Sequence, residues 1–432
     1  MRIGKKRLLD KNWQILALIY VIAVIARITI VCLYSWNTGL HFETVQIARY
    51  LINGYGYSWD WYKMIPPQPT AILAPLYTYF IALFMMIFDE PARYIYIVQA
   101  VLNSLVIIPG YFLGKYYGGT KNGLILAIIL GVFPEITYMP VKMVAEVISI
   151  VMVFLGIYLY LKYKDDLIAN HKTTGFIWLG ILLGIATLIK DNSAFIFLAC
   201  FIGLLFIRIN YKIWLKAAFL FGLAFTLTIS PWLVRNYIVF DKPVFRTMYG
   251  FNLWRGNHPC ATGTGRLANG FGSETCLDQK YLDYIEKNHP STELGIDKFY
   301  KDEAIKFIKA DKMRYAELTL KRLFYFIVID PTHPLTKSFV YISGYIFTMV
   351  FGIWGGIILY RRKKLDRIYI LLPILFIIAY VPVIIIPRYR LILIWLLLIL
   401  SSISITGILS RGSLPFIGNR IRKAIDSFGK EE

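Results

Sequence analysis

Long apolar runs separated by short polar connections dominate the chain, and the first, Trp13 to Tyr34, has the roughly 20 residues a helix needs to cross a bilayer. Comparable runs follow at Ile95 to Leu113, Leu124 to Tyr138, Val144 to Leu161, Phe176 to Ile189, Ala194 to Ile207 and Ile213 to Val234. Three more lie near the end, at Phe339 to Tyr360, Ile368 to Ile386 and Leu391 to Leu409. The pattern predicts an all-α polytopic membrane protein of about ten spans. Basic residues cluster before the first run (Arg2, Lys5, Lys6, Arg7, Lys11), at Lys115 to Lys121, Lys162 to Lys172 and Arg208 to Lys212, at Arg361 to Lys364, and in the tail (Arg411, Arg420, Arg422, Lys423). By the positive-inside tendency these face the cytoplasm. The loops at 35–68, Pro134 to Met143 and Lys190 to Ser193, and the segment after Val234, then face outward.

Pro69 to Phe88 breaks this parity, because a full crossing there would leave Ile95 on the wrong side. It is expected to be a juxtamembrane or re-entrant helix on the outer face, entered through Pro66, Pro67 and Pro69. Asn236 to Lys321 is polar, with Gly, Asn, Thr and Pro clusters, and carries an amphipathic helical stretch from Asp297 to Leu320. The expected organisation is a transmembrane module over 1–234 with a functional first external loop (35–68), an external subdomain or cap over 235–336, and C-terminal spans with a basic cytoplasmic tail over 337–432.

Composition agrees with the pattern: 57% of the 432 residues are apolar and only 17% charged, more hydrophobic material than one soluble core can hide. The net charge of +21 does not point to nucleic acid, because the basic residues are dispersed between apolar runs. No small-residue cleavage site follows the first run, so it is expected to remain attached. Cys32 and Cys200 sit in apolar runs and behave there as small hydrophobes. Cys260 and Cys276 share one outer loop, where they either pair in an oxidising compartment or remain free thiols.

The outer loop after the first run contains a short amphipathic helix, His41-Phe42-Glu43 through Ala48-Arg49-Tyr50-Leu51-Ile52-Asn53-Gly54-Tyr55-Gly56, with an acid at its head and glycine at its end. Partial desolvation at the membrane surface suits Glu43 to accept a proton from a hydroxyl. The plainer alternative is a helix-start carboxylate favoured by the backbone dipole. This loop resembles the first external loop of GT-C glycosyltransferases, in the protein O-mannosyltransferase and aminoarabinose lipid A transferase branch, which uses dolichyl or undecaprenyl phosphate sugars. Three further stretches extend the resemblance over roughly the first 260 residues: Met143-Val144-Ala145-Glu146, Pro231-Trp232-Leu233-Val234-Arg235-Asn236-Tyr237, and Gly250-Phe251-Asn252-Leu253-Trp254-Arg255-Gly256-Asn257-His258-Pro259. The family loop usually carries a second acid, where this chain has Phe42.

The resemblance implies a GT-C-like helical bundle with external juxtamembrane helices, and transfer of a sugar from a polyprenyl-phosphate donor to an acceptor hydroxyl of a glycan, lipid or protein. Glu43 is the expected base. Glu146, at an outward membrane boundary, is a second acid that orients the acceptor, helps hold a divalent ion, or pairs with Lys142. A departing phosphate needs nearby cations. Arg388 and Arg390 stand in a basic outer turn against the positive-inside tendency, and touch either lipid headgroups or the donor phosphate. Lys190 and Arg235 are further phosphate candidates, and Asn257 and His258 further members of the substrate-binding set. Arg27 is expected to snorkel or pair within the first span. Metal use is left open. No nucleotide-binding glycine loop, zinc-type Cys/His spacing or nucleophile elbow occurs in the cytoplasmic segments, so energy would come from the donor itself. The alternative is a transporter or flippase of a lipid-linked sugar.

Overall fold

A computed structural model describes residues 2–34, 43–60, 66–267 and 272–411, with side chains from residue 11. Arg420, Arg422 and Lys423 of the basic tail, together with Phe42 and His41, lie outside these residues. In chain order the helices begin with α1 (Arg2–Tyr34), α2 (Glu43–Tyr50), α3 (Pro75–Ile87), α4 (Pro91–Ser104), α5 (Ile107–Val132) and α6 (Pro134–Tyr138). They continue with α7 (Glu146–Asn170), α8 (Gly175–Ile189), α9 (Ala194–Leu204), α10 (Tyr211–Phe240) and α11 (Tyr249–Asn257). Then come α12 (Gln279–Asn288), α13 (Glu293–Ala310), α14 (Lys312–Ile327), α15 (Phe339–Arg361), α16 (Ile368–Tyr380) and α17 (Leu391–Arg411). One two-stranded ribbon pairs β1 (Ser58–Trp59) with β2 (Gln68–Pro69).

Among the described residues, 6 segments are long and apolar enough to cross a membrane, and shorter apolar helices cover Pro75–Ile87, Gly175–Ile189, Asp191–Leu204 and Ile368–Tyr380. One of the long segments, Pro91–Val132, is not a single rod. Gly118 leaves helical geometry and Gly119 takes φ +72°, a left-handed value that glycine adopts without a Cβ penalty. The Asn122 side chain then donates back to Gly114 O at 2.8 Å, which closes a tight reversal at the basic connection expected from the sequence. A straight helix of that length would be about 60 Å long, twice the bilayer core.

α3 has 13 residues, so it reaches about 20 Å and falls short of a 30 Å core. The most buried charge in the apolar layer is paired. Arg27 is fully buried and does not snorkel: it donates to Asn103 Oδ1 at 2.9 Å and to the carbonyls of Gly131 at 3.0 Å and Leu130 at 2.9 Å. Those carbonyls end α5, where the helix dipole favours a cation.

The segment between α10 and α15 builds a separate apolar cluster with the segment between α2 and α3, in which Tyr57, Ile72, Trp232, Leu253, Trp254, Ile296 and Tyr300 pack together. Cys260 and Cys276 are joined, with Cα atoms 6.0 Å apart, inside the reach a disulfide requires. Glu293 of α13 accepts from Ala71 N at 2.8 Å and Thr247 Oγ1 at 2.6 Å, tying the subdomain to the loop before α3.

Candidate active site

Glu146 is the first residue of α7 and Lys190 follows the last residue of α8, so a carboxylate meets a helix N-terminus and a cation a helix C-terminus, each the favoured sign. α7 and α8 pack side by side, which brings the two charges to 3.0 Å. Glu146 therefore pairs with Lys190, and the expected alternative pairing with Lys142 is replaced. The contact is an ion pair without hydrogen-bond geometry, and Glu146 Oε1, buried, has no hydrogen-bond donor. Beneath it, Ser149 and Ser193 hydroxyls lie 3.3 Å apart and fasten α7 to the turn after α8.

The same turn continues into Asp191, which forms an ion pair with Arg246 from the loop after α10. Arg246 also donates through Nε to Ile72 O at 2.9 Å. Asp191 and Arg246 were not singled out from the sequence. The signal for Arg246 was present, since it is an arginine in an outward segment, the criterion that drew attention to Arg388.

Arg388 comes from the opposite side, in the turn Pro387–Arg390 before α17. Arg388 is exposed as a residue, and its charge is felt by Asp191 while it feels those of Glu146, Arg246 and Glu43. Three acids (Glu43, Glu146, Asp191) and two further cations (Lys190, Arg246) thus gather around Arg388. Glu43 itself is the first residue of α2 and is exposed.

The remaining predicted residues hold this arrangement together from outside it. Arg235 donates to Thr70 O at 2.7 Å and Tyr57 O at 2.8 Å, the two chain segments that flank the ribbon of the first external loop. It lies over the Trp232 ring at 5.1 Å, and Trp232 Nε1 donates to Phe245 O at 2.9 Å. Asn236 donates to Val244 O at 2.8 Å. The Pro231 to Tyr237 motif thereby fixes both the first loop and the segment that carries Arg246.

Asn257 donates to Leu253 O at 2.7 Å and accepts from the fully buried Arg322 at 2.9 Å. Arg322 also reaches Pro382 O at 3.0 Å. A Cβ on Gly256 would stand 1.9 Å from Val383 O, so only glycine allows the backbone of this motif to lie against the segment leading to Arg388. His258 is buried: its Nδ1 accepts from Cys260 N at 3.1 Å and its Nε2 lies 3.0 Å from Ser273 Oγ. Burial, with Arg314 and Arg255 nearby, lowers its pKa to about 4. Arg390 is buried on the other side of its turn from Arg388, donating to Val328 O and, at 2.5 Å, to Tyr341 Oη. Among the described residues, no group of three or more His, Cys, Asp or Glu side chains is placed to hold a metal ion.

Comparison with known proteins bears on this arrangement. Residues 69–234 match the family model described as dolichyl-phosphate-mannose-protein mannosyltransferase. No curated protein is detectably similar to the chain in sequence. In fold it is similar to the Archaeoglobus fulgidus oligosaccharyltransferase in the apo form, with a TM-score of 0.58 and 14% identity over 96% of this chain and 52% of that one. It is likewise similar to the same archaeal enzyme in complex with an inhibitory peptide and a dolichol-phosphate, with a TM-score of 0.56 and 13% identity over 96% of this chain and 54% of that one. The chain thus spans about half the length of these structures. Its matched segment contains Glu146, Lys190 and Asp191, and the long apolar helices around them cross the membrane several times. Residues 69–234 thus carry the similarity to the dolichyl-phosphate-mannose-protein mannosyltransferase family, and as a whole the chain is a multi-pass membrane protein that shares its fold with the archaeal oligosaccharyltransferase.

Proposed function

We propose that the chain transfers a sugar from a polyprenyl-phosphate donor to an acceptor hydroxyl on the outer face of the cytoplasmic membrane, inverting the anomeric centre. The observation that carries this reading is Arg388, exposed and within electrostatic reach of both Glu43 and Glu146. The acceptor oxygen attacks the anomeric carbon, the bond from that carbon to the phosphate oxygen breaks, and Glu43 takes the hydroxyl proton. The lipid phosphate leaves with an added negative charge. Arg388 meets that charge with a planar fork, and Lys190 and Arg246 add positive potential without moving.

Glu146 and Asp191 hold those two cations in place. Before reaction the three acids balance the three cations, so a phosphate entering beside Arg388 competes with Glu146 for positive charge. A divalent ion could join the acids, although the described residues offer it no ready cage. Ten crossings, with the α5 reversal on the cytoplasmic side and this cluster outside, agree with the basic connections and with a disulfide in an oxidising compartment. Transport of a lipid-linked sugar gains no support from the family match of residues 69–234.

The test is sugar transfer by the purified protein in vesicles supplied with a polyprenyl-phosphate sugar. Glu43→Gln is expected to lower the transfer rate by about 10²- to 10⁴-fold with donor binding retained. Unchanged transfer would remove Glu43 from the reaction.

A further inference from the structure

Glu135 belongs to none of the contacts described above. It sits in α6, directly after α5, half-buried, and among the described residues nothing hydrogen-bonds or ion-pairs with its carboxylate. Burial pushes the carboxyl up to about 7 against the pull of Arg390. A half-buried carboxylate without a protein partner keeps its oxygens free to accept hydrogen bonds from a ligand.

What surrounds it narrows the ligand. One turn along α6, on the same side, Tyr138 is 42% exposed, and the Tyr34 ring, 58% exposed, lies edge-on to it at 6.0 Å. Tyr341 feels the Glu135 charge and accepts a hydrogen bond from Arg390 at 2.5 Å. Arg390 in turn shares the turn Pro387–Arg390 with Arg388 but engages Val328 O and Tyr341 instead. An unpaired carboxylate beside exposed aromatic faces is the combination that binds sugar: carboxylate oxygens accept from neighbouring hydroxyls, and the C–H face of the ring covers an aromatic π-face. An anion would meet the repulsion of Glu135, and a metal ion would find no second free acid.

We propose that Glu135, Tyr138 and Tyr34 form a carbohydrate-binding subsite that seats a glycan acceptor on the far side of the Pro387–Arg390 turn from Arg388. This assignment rests on the reading of the chain as a sugar transferase and names its acceptor as a glycan. Tyrosines at a bilayer boundary also serve as plain interfacial anchors, and an anchor has no use for the adjoining carboxylate.

The experiment measures binding of manno-, gluco- and galacto-configured tetrasaccharides to the full chain in detergent micelles by saturation-transfer NMR, alongside the transfer assay. At least one tetrasaccharide is expected to bind the wild type, and Glu135→Ala and Tyr138→Leu each to weaken it by about tenfold or more, with thermal unfolding confirming that the variants are folded. If Glu135→Ala fails to fold, Tyr138→Leu carries the comparison. No binding by the wild type, or equal binding by wild type and folded variants, overturns the subsite. Glycan binding by a protein that transfers no sugar keeps the subsite and dismisses the transfer reading. Transfer with an unchanged acceptor KM in both variants does the reverse.

Discussion

At the scale of single residues, the Glu146–Lys190 pair decides whether the outer cluster keeps its shape. Both side chains are largely removed from water, and losing one partner leaves the other charge uncompensated. Glu146→Ala and Lys190→Ala are each expected to destabilise the protein by about 3 kcal/mol or more. The double variant should lose less than their sum, which thermal unfolding of the three proteins in one detergent would measure. A second residue prediction concerns pH. His258 has a folded-state pKa near 4 against an ordinary 6.5, so the folded protein binds fewer protons than the unfolded chain between those values. The stability it contributes is complete above 6.5 and lost as pH falls through 4, and His258→Gln should flatten that part of a melting-temperature profile. His258 was read from the sequence as a substrate-binding candidate. Its two hydrogen bonds to the disulfide loop could not be foreseen, because they depend on how a long polar segment folds back on itself.

At the scale of elements, the sequence was legible where periodicity and charge sign agree. Apolar length marked the crossing helices, and the basic stretch Lys115 to Lys121 marked the reversal at Gly118 and Gly119. The motif residues were harder to interpret. Arg235, Asn236, Gly256 and Asn257 stand out in the sequence as strongly as catalytic groups do, yet their hydrogen bonds and close contacts join the first external loop, the Arg246 segment and the approach to Arg388. Asp191 and Arg246 escaped notice because each is one charge in an ordinary outer loop, and only the packing of α7, α8 and the α10 exit brings them together. The element-scale prediction follows from Gly256. A methyl group there would overlap Val383 O, so Gly256→Ala must push back the segment that presents Arg388. The variant is expected to lose about 1 to 3 kcal/mol of stability and to lower the transfer rate although it touches no substrate. Wild-type rate and stability would mean that this segment moves without consequence.

At the scale of the whole molecule, the arrangement separates support from reaction. Long apolar helices form the membrane body, the disulfide-bonded subdomain clamps the loop before α3 through Glu293, and the charged cluster lies where α2, α7, α8, the α10 exit and the Pro387–Arg390 turn converge. The likeness to the archaeal oligosaccharyltransferase extends over nearly all of this chain and about half of that one, and what they share is the fold.

The most direct test of one shared reaction centre is a double-mutant cycle on the rate of sugar transfer with Glu43→Gln and Arg388→Ala. If both groups serve one transition state, each single change cuts the rate steeply and the double variant is little slower than the worse single one. Strictly multiplicative losses, or a Glu43→Gln protein that transfers at the wild-type rate, would contradict the account.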